Sequence, residues 1–166
     1  MKIRSITFKP PEPKLKVHKL VTVYISEKHS EIIVAPYSKD EKNGFNYEQP
    51  NCEIIDLNSS LENIGLTIKR NFDKFDLKEK QSGNGKKSDW PSFKASKEKS
   101  MRGFEQNYRR ISIRGITERN SSLRIETVMN LPIAIELTTT ISAHCEPADL
   151  GNRIIKMFRS EITERK

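Results

Sequence analysis

Three segments in the second half of the chain alternate apolar and polar residues with a period of two. In the middle segment, Leu123 and Ile125 alternate with Arg124 and Glu126. A period of two places successive side chains on opposite faces of a strand, so each segment has one buried and one solvated face, as in antiparallel sheets. The pattern predicts strands over Tyr108–Ile116, Ser122–Met129 and Pro132–Ile141.

Further strands are predicted earlier in the chain. Leu20–Ile25 and Glu31–Pro36 are rich in β-branched residues and are separated by five polar residues, which is typical of two strands joined by a short turn. Another apolar run covers Cys52–Leu57. The sequence therefore predicts five to six strands.

A helix is predicted to begin after Ser59, because Ser59 and Glu62 have the spacing of a capping box. Apolar residues then recur at spacings of three and four, which places them on one helical face. These residues are Leu61, Ile64, Ile68, Phe72 and Phe75.

A second amphipathic helix is predicted near the C-terminus, where Pro147 suits a first helical position. Its apolar stripe consists of Leu150, Ile154, Met157, Phe158 and Ile162. Together the elements predict an α+β fold, in which a twisted antiparallel sheet packs its apolar face against two helices.

The chain length of 166 residues predicts a single domain over residues 1–166. Residues 1–19 form a basic segment in which Pro10, Pro11 and Pro13 disfavour regular structure. Residues 77–100 are rich in Lys, Ser and Gly and predict a long flexible loop.

No motif for catalysis or cofactor binding stands out. Cys52 and Cys145 lack the spacing of a metal site or a disulfide framework, and the adjacent pair His144–Cys145 is poorly placed for a side chain to activate its neighbour. Gly83 and Gly85 lack the flanking strand and helix of a phosphate-binding loop. We therefore predict no enzyme activity, no cofactor, no metal and no small-molecule substrate.

The chain is basic, with 30 Lys and Arg against 22 Asp and Glu and a net charge of +8. Such a balance attracts polyanions, acidic protein surfaces or anionic lipid. The sequence contains neither a secretory signal pattern nor an apolar run long enough to span a membrane, which predicts a cytoplasmic location without a membrane partner.

Two clusters could bind a partner. Five arginines lie on or near the predicted strands between residues 109 and 124, where they could contact phosphates or carboxylates, or could be a solvated face with cross-strand pairs such as Arg124 with Glu136. Residues 90–104 interleave aromatic and basic side chains, which could stack on bases or could anchor a loop.

The same aromatic and basic segment resembles the immunity proteins of bacterial contact-dependent growth inhibition systems. The likeness extends to a Leu-Thr-Thr-Thr-Ile strand at Leu137–Ile141 and to Leu150-Gly151 at the C-terminal helix. In the segment itself it rests on Trp90, Phe93, Lys94, Ala95, Ser96, Lys99, Ser100, Phe104, Glu105 and Tyr108.

The resemblance implies a cytoplasmic protein that binds and neutralises the C-terminal toxin domain, often a nuclease, of a cognate cell-surface effector. The toxin-binding candidates are the aromatic and Arg residues expected to be exposed. They are Trp90, Arg102, Tyr108, Arg110 and Arg114. The alternative is a nucleic-acid-binding protein that uses a basic sheet face and the Lys-rich loop.

Overall fold

The computed structural model describes residues 17–78, 89–130 and 134–160. These residues form an α+β fold, as predicted, with eight strands rather than five or six. The strands are β1 Leu20–Ser26, β2 Glu31–Lys39, β3 Asn46–Glu48, β4 Glu53–Asp56, β5 Asp76–Leu77, β6 Arg109–Gly115, β7 Ser122–Asn130 and β8 Ala134–Ser142. The helices are α1 Leu61–Asp73, α2 Pro91–Ala95, α3 Met101–Asn107 and α4 Pro147–Arg159.

The strands form one sheet in the order β3-β2-β1-β6-β7-β8, and β4 and β5 also pair with β2. The predicted hairpin of β1 and β2 is present, with Ser26 opposite Glu31, and β6, β7 and β8 follow one another as an antiparallel meander. The pairing of β5 with β2 is parallel, and the other strand pairs are antiparallel.

Helices α1 and α4 cover one face of the sheet, which we call the long-helix face. Its core is apolar and includes Val21, Val23, Ile113, Ile125, Ile64, Ile68, Leu150 and Ile154. The two helices approach closely at glycines: a Cβ atom on Gly65 would lie 1.8 Å from the Pro147 carbonyl oxygen, and one on Gly151 would lie 2.0 Å from that of Leu61. Only glycine fits at either contact, because no side chain can share that space.

Helices α2 and α3 cover β1 and β2 on the opposite face, which we call the short-helix face. Its core includes Leu20, Tyr24, Ile33, Ala35, Tyr37, Phe75, Phe104 and Tyr108. Because β1 and β2 are covered on both faces, nearly all of their residues are buried. This double coverage explains why their sequences lack the alternation of β6 and β7.

Two details of α1 differ from the prediction. The N-cap is Ser60 rather than Ser59, and the Ser60 side chain accepts a hydrogen bond from the Asn63 amide. Phe75 lies beyond the end of α1 and packs into the short-helix face, while Leu61 is 40% exposed. The α1 stripe is therefore shorter than its apolar spacing suggested.

The segment predicted as a loop contains regular structure. Asp76–Leu77 forms β5, and Pro91–Ala95 forms α2, whose N-cap is Trp90 and whose first residue is proline. Proline has the backbone angle that begins a helix, so Pro91 explains why α2 begins where it does. Residues 79–88 of the predicted loop lie outside the described residues, as do residues 1–16, 131–133 and Ile162.

Candidate functional site

Residues 89–107, which contain α2 and α3, form a two-helix cap over one half of the short-helix face. The Phe104 ring of the cap packs on two tyrosines, Tyr24 of β1 and Tyr108 just before β6. The ring centroids lie 5.2 Å from Tyr24 and 4.8 Å from Tyr108. Phe93 of α2 meets Phe104 edge to face at 5.9 Å. Aromatic burial therefore holds the cap to the sheet.

Polar groups are also buried beneath the cap, and Glu48 organises the first cluster. Its carboxylate accepts hydrogen bonds from the Tyr24 hydroxyl at 2.6 Å, the Tyr37 hydroxyl at 3.2 Å and the Ser92 amide at 2.9 Å. Burial, and then the charges of Tyr37 and Glu48, raise the pKa of Tyr24 far above its ordinary value. Glu48 of β3 thus joins β1 and β2 to the start of α2.

Glu31 forms a second cluster at the turn between β1 and β2, where it is 4% exposed. Its carboxylate accepts hydrogen bonds from the Tyr108 hydroxyl and pairs with the Lys97 ammonium at 2.8 Å. Burial acts to raise the pKa of Glu31, but the hydrogen bonds from Lys97 and Tyr108 outweigh burial, so the pKa lies below its ordinary value.

Glu98 forms a third cluster between the cap and the same turn. It accepts from His29 at 2.6 Å, from Lys28 at 2.9 Å and from the Asn107 amide group at 2.8 Å. The hydrogen bonds from His29 and Lys28 lower the pKa of Glu98 to about 2. The cap is therefore locked to the sheet by carboxylates as well as by aromatic rings.

The other half of the short-helix face lies over β6, β7 and β8, and we call it the open half. Its side chains alternate in charge across the strands: Glu126 lies 3.7 Å from Arg114 and 3.1 Å from Arg124, and Arg124 also contacts Glu136 at 3.2 Å. Arg114 and Arg124 lie directly opposite each other, and Glu126 pairs with both, which offsets the repulsion between the two like charges. The predicted pair of Arg124 with Glu136 is thus present.

All five candidate residues lie on the side of the sheet that bears the cap. Trp90 is half-buried at the start of α2, and Arg102 is exposed on α3. Arg110 and Arg114 are exposed on the open half, since they lie opposite Tyr24 and Leu20 in the register of β1 and β6. The structure therefore brings residues from two sequence clusters to one side of the molecule.

The expectation that Tyr108 is exposed is wrong. Tyr108 is 5% exposed, because its ring packs on Phe104 and its hydroxyl donates to the buried Glu31. The sequence predicts a flexible loop over residues 77–100 and no helix over residues 101–107, so a layer above Tyr108 is not expected from it.

An exposed apolar residue on the open half was missed. Val128 is 57% exposed and lies opposite Glu136 in the register of β7 and β8. The alternation in β7 carries a signal for this residue, because Val128 is an apolar residue on the strand face that otherwise carries Arg124 and Glu126.

The remaining described residues carry no arrangement typical of catalysis or metal binding. Cys52 and Cys145 are free thiols, and burial raises the pKa of Cys52 to about 12, so its thiolate is scarce at neutral pH. Residues 17–78, 89–130 and 134–160 contain no group of three or more His, Cys, Asp or Glu side chains placed to hold a metal ion. None of the helices in those ranges is long and apolar enough to cross a membrane.

No protein-family model matches the sequence, and no curated protein is similar to it. Solved structures share the fold. A protein of unknown function from Neisseria meningitidis matches with a TM-score of 0.62 and 15% identity, over 89% of this chain and 94% of that chain. A chain of the CdiA-CT/CdiI toxin and immunity complex from Yersinia pseudotuberculosis matches with a TM-score of 0.57 and 12% identity, over 82% and 92% respectively.

Proposed function

We propose that this chain is an immunity protein that binds and neutralises the toxin domain of a cognate contact-dependent growth inhibition effector. The observation that carries the proposal is the shared fold with a chain of the CdiA-CT/CdiI toxin and immunity complex, which extends over most of both chains. Fold alone does not define function, and the resemblance of the sequence to the immunity family supports the assignment independently. In this proposal the chain acts in the cytoplasm, without enzyme activity.

The toxin contacts the side of the sheet that carries the cap. The half-buried Trp90 and the exposed Arg102, Arg110 and Arg114 supply aromatic and Arg side chains there, which are the residue types that dominate binding energy at protein interfaces. Val128 adds an exposed apolar side chain beside Glu136. A surface with both signs of charge and an exposed apolar side chain favours a specific protein partner.

The toxin is a nuclease in this proposal, and the basic charge of the chain then restricts the mode of inhibition. A nuclease attracts phosphate with positive charge, so a protein of net charge +8 cannot inhibit by covering the active site with negative charge overall. The chain binds either through local carboxylates such as Glu126 and Glu136 or away from the phosphate site.

We expect a large secreted effector to be encoded next to this gene, and the direct test uses the C-terminal domain of that effector. We expect the purified chain to bind that domain and to abolish its toxicity on co-expression. A toxin domain that shows no binding and no loss of toxicity in the presence of the folded chain would refute the proposed function.

The binding surface is tested by the double variant Arg110→Glu and Arg114→Glu. We expect affinity for the toxin domain to fall at least about 30-fold, because loss of a hot-spot anchor at an interface costs about 2 kcal/mol or more. Arg159→Glu is the control, since Arg159 is an exposed cation of α4 on the other side of the sheet. Equal affinity in all three proteins would place the interface elsewhere.

The same protein should bind nucleic acid weakly. Arg114 and Arg124 are already paired with Glu126 and Glu136, which leaves less charge for phosphates on the open half. Labelled oligonucleotides titrated between about 50 and 200 mM salt provide the measurement. Tight binding that weakens steeply with salt would favour the nucleic-acid alternative instead.

A further inference from the structure

Within the described residues, β8 is the last strand of the sheet and has one free edge. Among the described residues β8 pairs only with β7, along all nine of its residues. The Ala143 amide donates to the Ser121 carbonyl, so odd-numbered residues of this ladder direct their backbone groups toward β7. The N–H and C=O groups of Glu136, Thr138 and Thr140 therefore point away from the sheet.

This edge lacks the features that usually prevent pairing with another strand. Soluble proteins protect long edges with Lys, Pro, bulges or short strands. Within Ala134–Ser142 there is no Lys, Arg, Pro or Gly, and the pairing with β7 is continuous. Glu136 is its single charged residue, and β-branched residues fill much of the rest.

The apolar layer is also incomplete beside this edge. Leu137 and Ile141 are half-buried, and they line an open groove of about 620 Å³ against Met157 of α4. The rim of the groove carries Asp149 as well as Lys156, so it has both signs of charge. A surface of mixed charge can face a copy of itself without net repulsion.

We infer that the free edge of β8 pairs antiparallel with β8 of a second copy of this chain, which joins the two sheets into one. The strand is self-complementary: a two-fold axis at Thr138 places Glu136 opposite Thr140 of the copy and Ile135 opposite Ile141, so no like charges face each other. The half-buried apolar residues of both copies then form one continuous layer. This dimer does not depend on the proposed toxin partner.

The experiment is sedimentation of the full chain at about 100 μM, roughly 100-fold above a micromolar Kd. We expect the mass of a dimer. Thr138→Lys and Thr138→Glu should each sediment as monomers, because the axis brings two like charges together, and an equimolar mixture of the two should return to a dimer. Ser122→Lys, an exposed change on the same face in β7, should remain dimeric.

Hydrogen exchange provides a second measurement on the unaltered protein. The Thr140 amide faces the free edge, so its protection should rise with protein concentration, whereas that of Ile141 should not. If the unaltered chain is a monomer at about 100 μM, the inference is overturned. An equimolar mixture of folded Thr138→Lys and Thr138→Glu that stays monomeric also overturns it. A monomeric unaltered chain whose Thr138 variants lose only toxin binding does so too, because the edge would then belong to the toxin interface.

Discussion

The two faces of the sheet are built on different principles. The long-helix face is held by an apolar core in which α1 and α4 approach at Gly65 and Gly151. The short-helix face has aromatic rings too, but it also buries the carboxylate of Glu31 and encloses those of Glu48 and Glu98 in hydrogen bonds. The stability of the long-helix face depends on close packing and buried apolar area. The stability of the short-helix face also depends on the hydrogen-bond donors to its carboxylates.

The difference has a consequence for function. A hydrophobic core tolerates changes of pH, whereas a buried carboxylate is stable only while its donors and its charge are maintained. The cap that holds Trp90 and Arg102 therefore depends on three acidic residues. The proposed binding surface therefore lies on the face whose stability is more sensitive to pH.

The largest effect is expected on the long-helix face. Ile154→Ala removes a fully buried side chain from α4 and should lower the free energy of unfolding by about 2–5 kcal/mol, through lost burial and a cavity. Urea unfolding measures the change. Lys156→Ala, at an exposed position of the same helix, is the control, and an equal loss in both variants would contradict the contrast.

A smaller loss is expected when the cap loses Glu48. Glu48→Met has similar length but leaves the Tyr24 and Tyr37 hydroxyls and the Ser92 amide without this acceptor, which should cost about 1–3 kcal/mol of unfolding free energy. Adding Tyr24→Phe to Glu48→Met should cost less than the sum of the single changes, because the two residues share one interaction. Strict additivity in urea unfolding would show that they act separately.

Acid should release the cap before it unfolds the rest. Hydrogen bonds from His29 and Lys28 hold the pKa of Glu98 at about 2, below its ordinary 4.5, so its stabilisation is present above that value and is lost as pH falls from about 5 to about 2. Trp90 is the only tryptophan and lies at the start of α2, so its fluorescence follows the cap. We expect its signal to change ahead of the far-ultraviolet circular dichroism.

Two variants test the assignment of that acid transition. Glu98→Gln should flatten the Trp90 transition between about pH 5 and 2. Glu53, whose pKa is also about 2 because of hydrogen bonds from Arg70 and Lys74, lies on the α1 side. Glu53→Gln should leave the Trp90 transition in place. A Trp90 transition unchanged by Glu98→Gln would show that the cap does not depend on this carboxylate.

The smallest effect on stability is expected on the open half. Arg124→Ala removes two exposed ion pairs, one with Glu126 and one with Glu136, and should change the free energy of unfolding by less than about 1 kcal/mol. The same change should weaken toxin binding, since Arg124 lies within the proposed surface. A loss of stability near that of Ile154→Ala would instead assign Arg124 a structural role.

Much of the fold could be predicted because one-sided burial leaves a periodic pattern. Strands β6 and β7 are buried on one face, and α1 and α4 each have one apolar stripe, so their spacing is visible in the sequence. Helices α2 and α3 have five and seven residues, too short for a clear helical period. The sequence therefore shows Phe104 only as part of an aromatic and basic segment that could stack on bases or anchor a loop.

The candidate site could be predicted only in part. The exposure of Arg110 and Arg114 could be predicted, because alternation in β6 indicates which of its side chains face outward. Tyr108 was misplaced because its burial depends on α3, and the carboxylate clusters were missed because Glu48 and Glu31 come from different parts of the chain. Contacts between residues distant in sequence leave no local pattern.

The sequence by itself determined the antiparallel meander, the β1–β2 hairpin and the two long helices, since each follows from the side-chain period of a single segment. Only the tertiary structure decided which face the short helices cover and which part of it stays open. That choice depends on packing between Phe104 and the sheet and on the hydrogen bonds of Glu31, Glu48 and Glu98. These interactions exist only once the distant segments have come together.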